Sequence, residues 1–433
     1  MALNSSPIYN LGAVLKETGM AADTLRAWER RYGVPMPQRT PGGHRLYSER
    51  DIQLIKWLQG RQAEGMAISR AVRRWNELVA SGSDPLAHLG SVGHPSQQFN
   101  SLSALREQWL AACLKFDEVT TEQILNQAYA QHSVEVVTRE VIERGLHEVG
   151  ELWVRGQASV QQEHFLSALT MRRLDALISA APPPDPAPLI VLACAEGEPH
   201  SLPLLHMNLL LRRRRRKVVF LGADVPSAEI ADTARSLNAA IVVLCAQQLV
   251  TAVSLRDEAV LLAKKRIPVA YGGRIFSFQP NLQQHVAGTY LGGMIAEAVD
   301  RIEQMISEPP PANRLIPLIS NEQAVAFREA RARIEFYVHQ HFAKSPFPSR
   351  LLTIANNYFG PALAAALDLG NIAYIEADME WIQTLLAGHG LRLNLLRDYL
   401  LAYADAVRKV MGVHSAAISG WMRNYAAQVQ AGA

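Results

Sequence analysis

The sequence of 433 residues has no long apolar run, few cysteines and little excess charge. No uncharged apolar stretch reaches the roughly 18 residues that crossing a bilayer requires, so no membrane span is expected. The opening residues, MALNSSPIYN, lack a basic region followed by an apolar core, the pattern of a secretory signal. The three cysteines, Cys113, Cys194 and Cys245, form no Cys-x-x-Cys pair and no even framework. That argues against disulfides and a structural zinc site, and the expected location is a reducing cytoplasm. Charged residues make up 19% of the chain and apolar ones 49%, which is far from the composition of a disordered protein.

What charge there is lies unevenly. The formal net charge is +3, yet residues 1–80 hold twelve Lys/Arg against seven Asp/Glu, and the remainder is slightly acidic. A basic first fifth on a near-neutral body points to one nucleic-acid module with other business behind it. At about 100–200 residues per domain the length allows two to four domains. Three Gly-, Ser- or Pro-rich stretches, residues 81–101, 181–188 and 307–314, divide the chain into blocks 1–80, 101–181, 188–307 and 313–433. No solenoid repeat is visible. The second block carries apolar residues at three- and four-residue spacing throughout and reads as helix. The third alternates β-rich runs (LIVLACA, KVVFLGAD, AAIVVLCA, IPVAYGG) with helical stretches, the signal of βαβ units and a parallel sheet. The fourth is helical again, in four segments that begin at residues 321, 349, 372 and 393.

In the first block, residues 10–19 read as a short helix stopped by Gly19, and Asp23 as the N-cap of a second helix, TLRAWERRYG. That helix carries Arg26, Arg30 and Arg31. The following RTPGGHRLY suits a hairpin turning at Gly42-Gly43, flanked by Arg39 and Arg45. A helix with basic and hydrogen-bonding side chains at its front can enter a major groove, and a basic hairpin can hold phosphates. The order TLRAWERRYG-x-P…R-x-PGGHRLY resembles the DNA-binding domain of MerR-family regulators over residues 7–76. By matching position, the resemblance puts Thr24, Arg26, Trp28, Glu29, Arg30, Arg31 and Tyr32 on a recognition helix. It puts Arg39, His44, Arg45 and Tyr47 on a wing. Core roles for Trp28, Tyr32 and Tyr47 stay open. The family implies double-stranded, near-palindromic DNA and a homo-oligomer, a dimer or a tetramer.

In the third block, the loop after the first strand reads AEGEPHSLPLL. Ligands of open parallel sheets bind outside the carboxyl ends of the strands, where His200 sits with Glu198 two residues earlier. A neutral imidazole is a good cobalt ligand, and a carboxylate accepting its other ring proton raises its basicity. LGADVP follows the second strand, YGG the fourth, and GTYLG is expected to open the last helix. This order resembles the cobalamin-binding domain shared by methionine synthase, the mutases and their sensor relatives. The resemblance implies His200 as the lower axial ligand of cobalt and Glu198 as its partner. It sets Asp224, Cys245, Gln247, Gly272 and Gly273 about the cofactor. Two departures are evident: Pro203 stands where the motif has Gly, and Cys245 where a small Ser is expected.

The end of the second block, LHEVGELWVRGQASVQQEHFLSALTMRRL, resembles the four-helix cap of CarH-type and LitR-type light-responsive regulators. The match is Trp153, nine residues, then Glu163-His164. It implies that Trp153, Glu163 and His164 cover the upper corrin face, where the adenosyl group of adenosylcobalamin lies. The CarH type has a His directly after that Trp. Here the position is Val154, and His164 and His147 are the substitutes within reach of the sequence. RRRRRK at residues 212–217 reads either as a solvated helix end, favoured by the helix dipole, or as a contact for DNA or a second subunit.

The fourth block holds 13 of the chain's 30 aromatic residues. It reads as a bundle core, as an oligomerisation module, or as a second chromophore site. It is weakly similar to the helical extension of photocobilins, which implies biliverdin near His339, His341, Tyr374, Trp381, His389, Tyr399 and Tyr403. No cysteine occurs there, so any bilin is non-covalent.

The expected fold is therefore multidomain: a winged helix-turn-helix, a four-helix cap, a Rossmann-like α/β cobalamin-binding domain and an all-α C-terminal bundle. The expected function is a cobalamin-dependent, light-responsive transcriptional regulator, not an enzyme. The alternatives are a cofactor-independent MerR-type repressor worked by protein partners, and a cobalamin-dependent methyltransferase or mutase subunit.

Overall fold

The computed structural model describes residues 7–39, 45–63, 66, 68–80, 101–308 and 322–429. Two compact units divide the chain: Met1–Trp109 with Val119–Val141, and Leu110–Glu118 with Ile142–Ala433.

The first unit opens with β1 (Tyr9–Asn10) and α1 (Leu11–Thr18). The Asn10 side chain caps α1 by accepting the Ala13 N–H at 2.9 Å, and Gly19 ends it at a φ of 64°. The second helix, α2 (Ala22–Tyr32), starts earlier than expected. Its N-cap is Ala21, and Asp23 sits inside the first turn, where the helix dipole still favours it. Strands β2 (Gln38–Arg39) and β3 (Arg45–Tyr47) pair antiparallel, with β1 on the other side of β3, to make the wing. Gly42, Gly43 and His44 lie outside the described residues. Helices α3 (Glu49–Ala63) and α4 (Ile68–Ala80) complete a core of Val14, Leu25, Trp28, Tyr47, Ile55, Leu58 and Trp75. The segment 101–181 is helical, as its periodicity implies, and its helices are shared between the units. They are α5 (Leu102–Cys113), α6 (Glu118–Gln131), α7 (Val134–Val137), a π-helical turn (Thr138–Glu143), α8 (Arg144–Val154) and α9 (Val160–Ser179).

The second unit is built on a five-stranded parallel sheet. Its elements run β4 (Leu189–Cys194), α10 (Leu202–Arg213), β5 (Lys217–Gly222), α11 (Ser227–Ser236), β6 (Ile241–Cys245), α12 (Leu249–Lys264), β7 (Val269–Gly272), α13 (Arg274–Phe278), β8 (Thr289–Tyr290) and α14 (Ile295–Ser307). The strand order is β5-β4-β6-β7-β8, so chain direction across the sheet reverses between β4 and β6. Alternate residues of the central strands serve two cores. Val191, Ala193, Val242, Leu244 and Tyr271 face α11 and α12, and Ile190, Leu192, Cys194, Val243 and Cys245 face α10 and α14. Thr289-Tyr290 pairs with β7 as a fifth strand rather than opening a helix, which begins only at Ile295.

The described residues from 322 onward are mainly helical: α15 (Glu322–Phe342), α16 (Ser349–Asp368), α17 (Glu376–Gly388), α18 (Asn394–Met411) and α19 (Ala416–Gln428). The last of these was not among the expected segments. Tyr399, Tyr403, Phe359 and Leu363 are buried in one apolar core with the α12 side of the sheet, so the bundle and the sheet share an interior. Leu244→Ala empties a site at the centre of that core and is expected to cost about 2–5 kcal/mol in chemical denaturation. Leu237→Ala, at a surface position, is expected to stay within about 0.5 kcal/mol.

Candidate functional site

The switch point between β4 and β6 is where an open α/β sheet leaves a crevice at the carboxyl ends of its strands. The loop after β4 carries Glu198 and His200 into it. Glu198 has no exposed surface, and each of its oxygens is engaged. Oε1 lies 2.5 Å from His200 Nδ1 and accepts the His200 backbone N–H at 3.0 Å. Oε2 accepts the Gln247 N–H at 2.6 Å and the Thr251 hydroxyl at 2.7 Å. Burial alone would raise the Glu198 pKa, but the bonds from His200, Gln247 and Thr251 outweigh it and hold it below the usual value. The same carboxylate raises the His200 pKa, against a smaller opposite effect of burial.

The consequence is a defined tautomer. A carboxylate can only accept, so Nδ1 carries a proton and Nε2 of the neutral ring presents its lone pair. The His200 side chain is 55% exposed, so that nitrogen can be reached. These residues fit cobalamin: one imidazole nitrogen is aimed outward from a fully satisfied support, as an axial ligand requires. Gly273 adds a second requirement. It holds a φ of 127°, and a Cβ there would lie 1.8 Å from the Ala246 carbonyl oxygen, so the floor of the crevice tolerates only glycine. Gln247 spans the same floor, its side-chain carbonyl accepting the Arg274 N–H at 2.9 Å. Gly272 ends β7 beside it.

Other residues named from the sequence take structural parts here. Asp224 accepts the Gly197 N–H at 2.7 Å and so ties the loop after β5 to the His200 loop. Cys245 is buried beside Cys194, its in-register partner on β4. Pro203 occupies the first turn of α10, where proline needs no N–H partner. Sequence reasoning missed Thr251, on the first turn of α12. It also missed the buried Glu258, which accepts the Glu196 N–H at 3.0 Å and the Ser227 hydroxyl at 2.8 Å. Burial pushes Glu258 up to about 7.

On the cap side, Trp153 is half-buried at the end of α8, and Glu163 and His164 begin α9. Glu163 accepts from Ser167 at 2.7 Å, and its charge is felt at His200. His164 is exposed with Glu163 at 3.6 Å, and His147 pairs with Glu151 at 3.2 Å. The basic run 212–217 is largely tied within the fold. Arg214 pairs with Asp300 and Glu303, Arg215 with Asp185, and Arg216 with Glu303, which favours the solvated helix end over a role in holding DNA.

Across the winged domain, Thr24, Arg26, Arg30 and Arg31 are exposed on α2, with Arg26 3.6 Å from Asp23, and Tyr32 is half-buried. Arg39 is exposed on β2. Tyr47 is corrected from a DNA-facing residue to a core one. It has no exposed surface and donates to Glu29 at 2.5 Å. Trp28 is buried as well. The other Glu29 oxygen accepts from Arg45 Nε at 2.9 Å, so this one carboxylate locks the wing to the recognition helix.

The seven residues considered for a bilin do not form one set. Tyr399 and Tyr403 are buried against Phe359, with the Tyr399 hydroxyl on Asn356, and Tyr374 is buried at a short 3-10 turn. His339 and His341 are exposed on α15. Trp381 and His389 lie instead against α8, at Trp153.

The Glu198–His200 pair supports folding over a window bounded on both sides. Its contribution is lost as pH falls through the depressed Glu198 pKa, and lost again as pH rises through the elevated His200 pKa. Glu198→Gln is expected to shift the His200 imidazole titration, followed by NMR, to lower pH. An unmoved midpoint would contradict the pairing.

Three parts of the chain match known protein families. Residues 9–76 match the MerR HTH family of regulatory proteins, and residues 105–178 and 188–299 match two B12-binding domain families. The HTH-type transcriptional repressor CarH of Myxococcus xanthus is 34% identical over 222 residues, 51% of this chain and 73% of its own. The repressor CarA of the same organism is 31% identical over 220 residues, 50% of this chain and 69% of its own. Among solved structures, a monomethylamine corrinoid protein of Methanosarcina barkeri overlays 47% of this chain and 100% of its own, at 14% identity and a TM-score of 0.40. The chain thus belongs to the family of B12-binding, MerR-type transcriptional regulators, which are regulators rather than enzymes.

Proposed function

We propose that the protein is a light-responsive transcriptional regulator that senses through adenosylcobalamin and binds near-palindromic double-stranded DNA as a homo-oligomer. The observation that carries the reading is the half-exposed His200 ring, fixed by the buried Glu198 at the switch point of the sheet. In this reading residues 1–80 bind DNA, 101–181 form the cap, 188–307 hold the cofactor and 313–433 form an added helical domain.

Bound adenosylcobalamin would supply a cobalt–carbon bond that visible light breaks. His200 Nε2 would hold the metal from below, while Glu198 keeps the ring in the tautomer that leaves that nitrogen free. Gly272 and Gly273 would let backbone lie close to the flat macrocycle, with Asp224, Cys245 and Gln247 about its edge and tail. Trp153 would cover the upper face, Glu163 would accept ribose hydroxyls, and His164 would stand at the rim. Loss of the adenosyl group would remove what Trp153 and Glu163 hold, and the cap that carries them would be free to shift. Where the cap also joins subunits, oligomer state changes and avidity for paired half-sites falls. A non-covalent biliverdin in the C-terminal bundle is a separate proposal, for which Trp381 and His389 are the candidates that lie near Trp153.

His200→Ala is expected to weaken adenosylcobalamin retention at equilibrium and to remove the light-dependent change in oligomer state. Unchanged retention and photoresponse would remove the assignment. On the DNA side, Arg26→Ala is expected to lower operator affinity and flatten its salt dependence by about 0.9 for each phosphate that is no longer neutralised. An unaltered salt slope would take Arg26 out of the interface. A cofactor-independent repressor would retain no adenosylcobalamin through gel filtration in the dark and would bind DNA equally in dark and light.

A further inference from the structure

The tip of α8 is gripped from outside the cofactor-binding domain. The Trp153 ring lies 5.8 Å from that of Trp381 on α17, at an interplanar angle of 43°. Trp381 in turn stacks on Tyr358 of α16 at 6.1 Å and 27°. His389, just past α17, lies with Nε2 3.2 Å from the Trp153 carbonyl oxygen. A carbonyl can only accept, so Nε2–H is the donor. The backbones touch at two glycines. A Cβ on Gly156 would fall 2.2 Å from the Gly388 carbonyl oxygen, and one on Gly388 would fall 2.3 Å from that of Val154.

The other end of this bundle is anchored on the sheet. Helix α16 packs against α12. Arg256 of α12 donates to the Asp368 carbonyl at 2.9 Å, and the Asp368 side chain is paired with Arg328. Gln279, after α13, donates to the Tyr374 carbonyl at 3.3 Å. A continuous packed path therefore runs from the sheet through α16, Tyr358 and Trp381 to Trp153.

We infer that the C-terminal bundle is a brace on the cap, in which Trp381, Gly388 and His389 are positioning residues that hold Trp153 over the cofactor face and set how readily the end of α8 opens. The inference rests on the proposed role of Trp153 at that face. The brace itself does not need the cofactor, so the two can fail separately. An aromatic pair, a hydrogen bond to backbone and a glycine–glycine approach act at one point, which makes the grip specific to the end of α8 rather than a general burial of the helix.

Hydrogen exchange across residues 144–156 of the full-length protein tests it, first without cobalamin. Loss of one hydrogen bond in His389→Ala is expected to raise exchange there roughly fivefold. Trp381→Ala and Gly388→Val should raise it further, and Phe336→Ala, at an exposed position on α15, should leave it unchanged. With adenosylcobalamin bound in the dark, the same three brace variants should release the cofactor several-fold faster, with the His200 spectral signature retained while it is bound. Unaltered exchange at 144–156 in folded Trp381→Ala and His389→Ala would overturn the brace. Faster exchange with unaltered cofactor release would overturn its control of the site. Trp153→Ala with full retention of adenosylcobalamin would instead remove the role of Trp153 and leave the brace standing.

Discussion

A carboxylate without exposed surface, holding one imidazole, is the constraint on which the site depends. A buried charge survives only when its lone pairs are satisfied. Glu198 meets that condition through four donors drawn from three places: its own loop, the end of β6 and the first turn of α12. The same bonds that make the charge tolerable fix the loop after β4 to the two elements beside it. The imidazole is thereby oriented before any ligand arrives. A residue two positions from Glu198 in sequence is locked by residues about fifty positions away.

The sheet supplies the remainder of the geometry. Because β4 and β6 lie side by side and their following loops diverge, the crevice opens where Glu198, Gln247 and Gly273 meet. Asp224 ties the loop after β5 to the loop after β4 through the Gly197 N–H, and Glu258 of α12 accepts both the Glu196 N–H and the Ser227 hydroxyl. In the winged domain a single carboxylate has a comparable part. Glu29 takes Tyr47 and Arg45 together, so the recognition helix and the wing move as one body. The DNA-binding module and the B12-binding module are each stiffened by one acid set among its donors.

Much of this was legible in the sequence where the determining interactions are local. The βαβ alternation, the Glu198–His200 pair in its loop and the wing-helix motif all depend on neighbours within a few residues. What was not legible depends on distant partners. Tyr47 reads as a wing residue until the fold turns it inward onto Glu29. Asp23 reads as a cap, yet Ala21 takes that place and Asp23 serves the first turn. Thr251 and Glu258 look like ordinary residues of an amphipathic helix, and only the packing of α12 under the loop gives them their roles. Thr289-Tyr290 is too short to announce itself as a strand without β7 beside it. Tyr399 and Tyr403 stand among leucines and alanines in a helix, and nothing in their spacing separates bundle core from ligand pocket.

The most direct test of the central claim is the electron paramagnetic resonance spectrum of cob(II)alamin bound to the protein, recorded with the protein at natural isotopic abundance and uniformly labelled with nitrogen-15. An axial nitrogen splits each cobalt line into three when it is nitrogen-14 and into two when it is nitrogen-15. If His200 holds the metal, labelling the protein changes the triplets to doublets, and His200→Ala abolishes that change. Triplets that persist in the labelled protein would mean that the axial nitrogen belongs to the cofactor's own base, and the account built on Glu198 and His200 would be wrong.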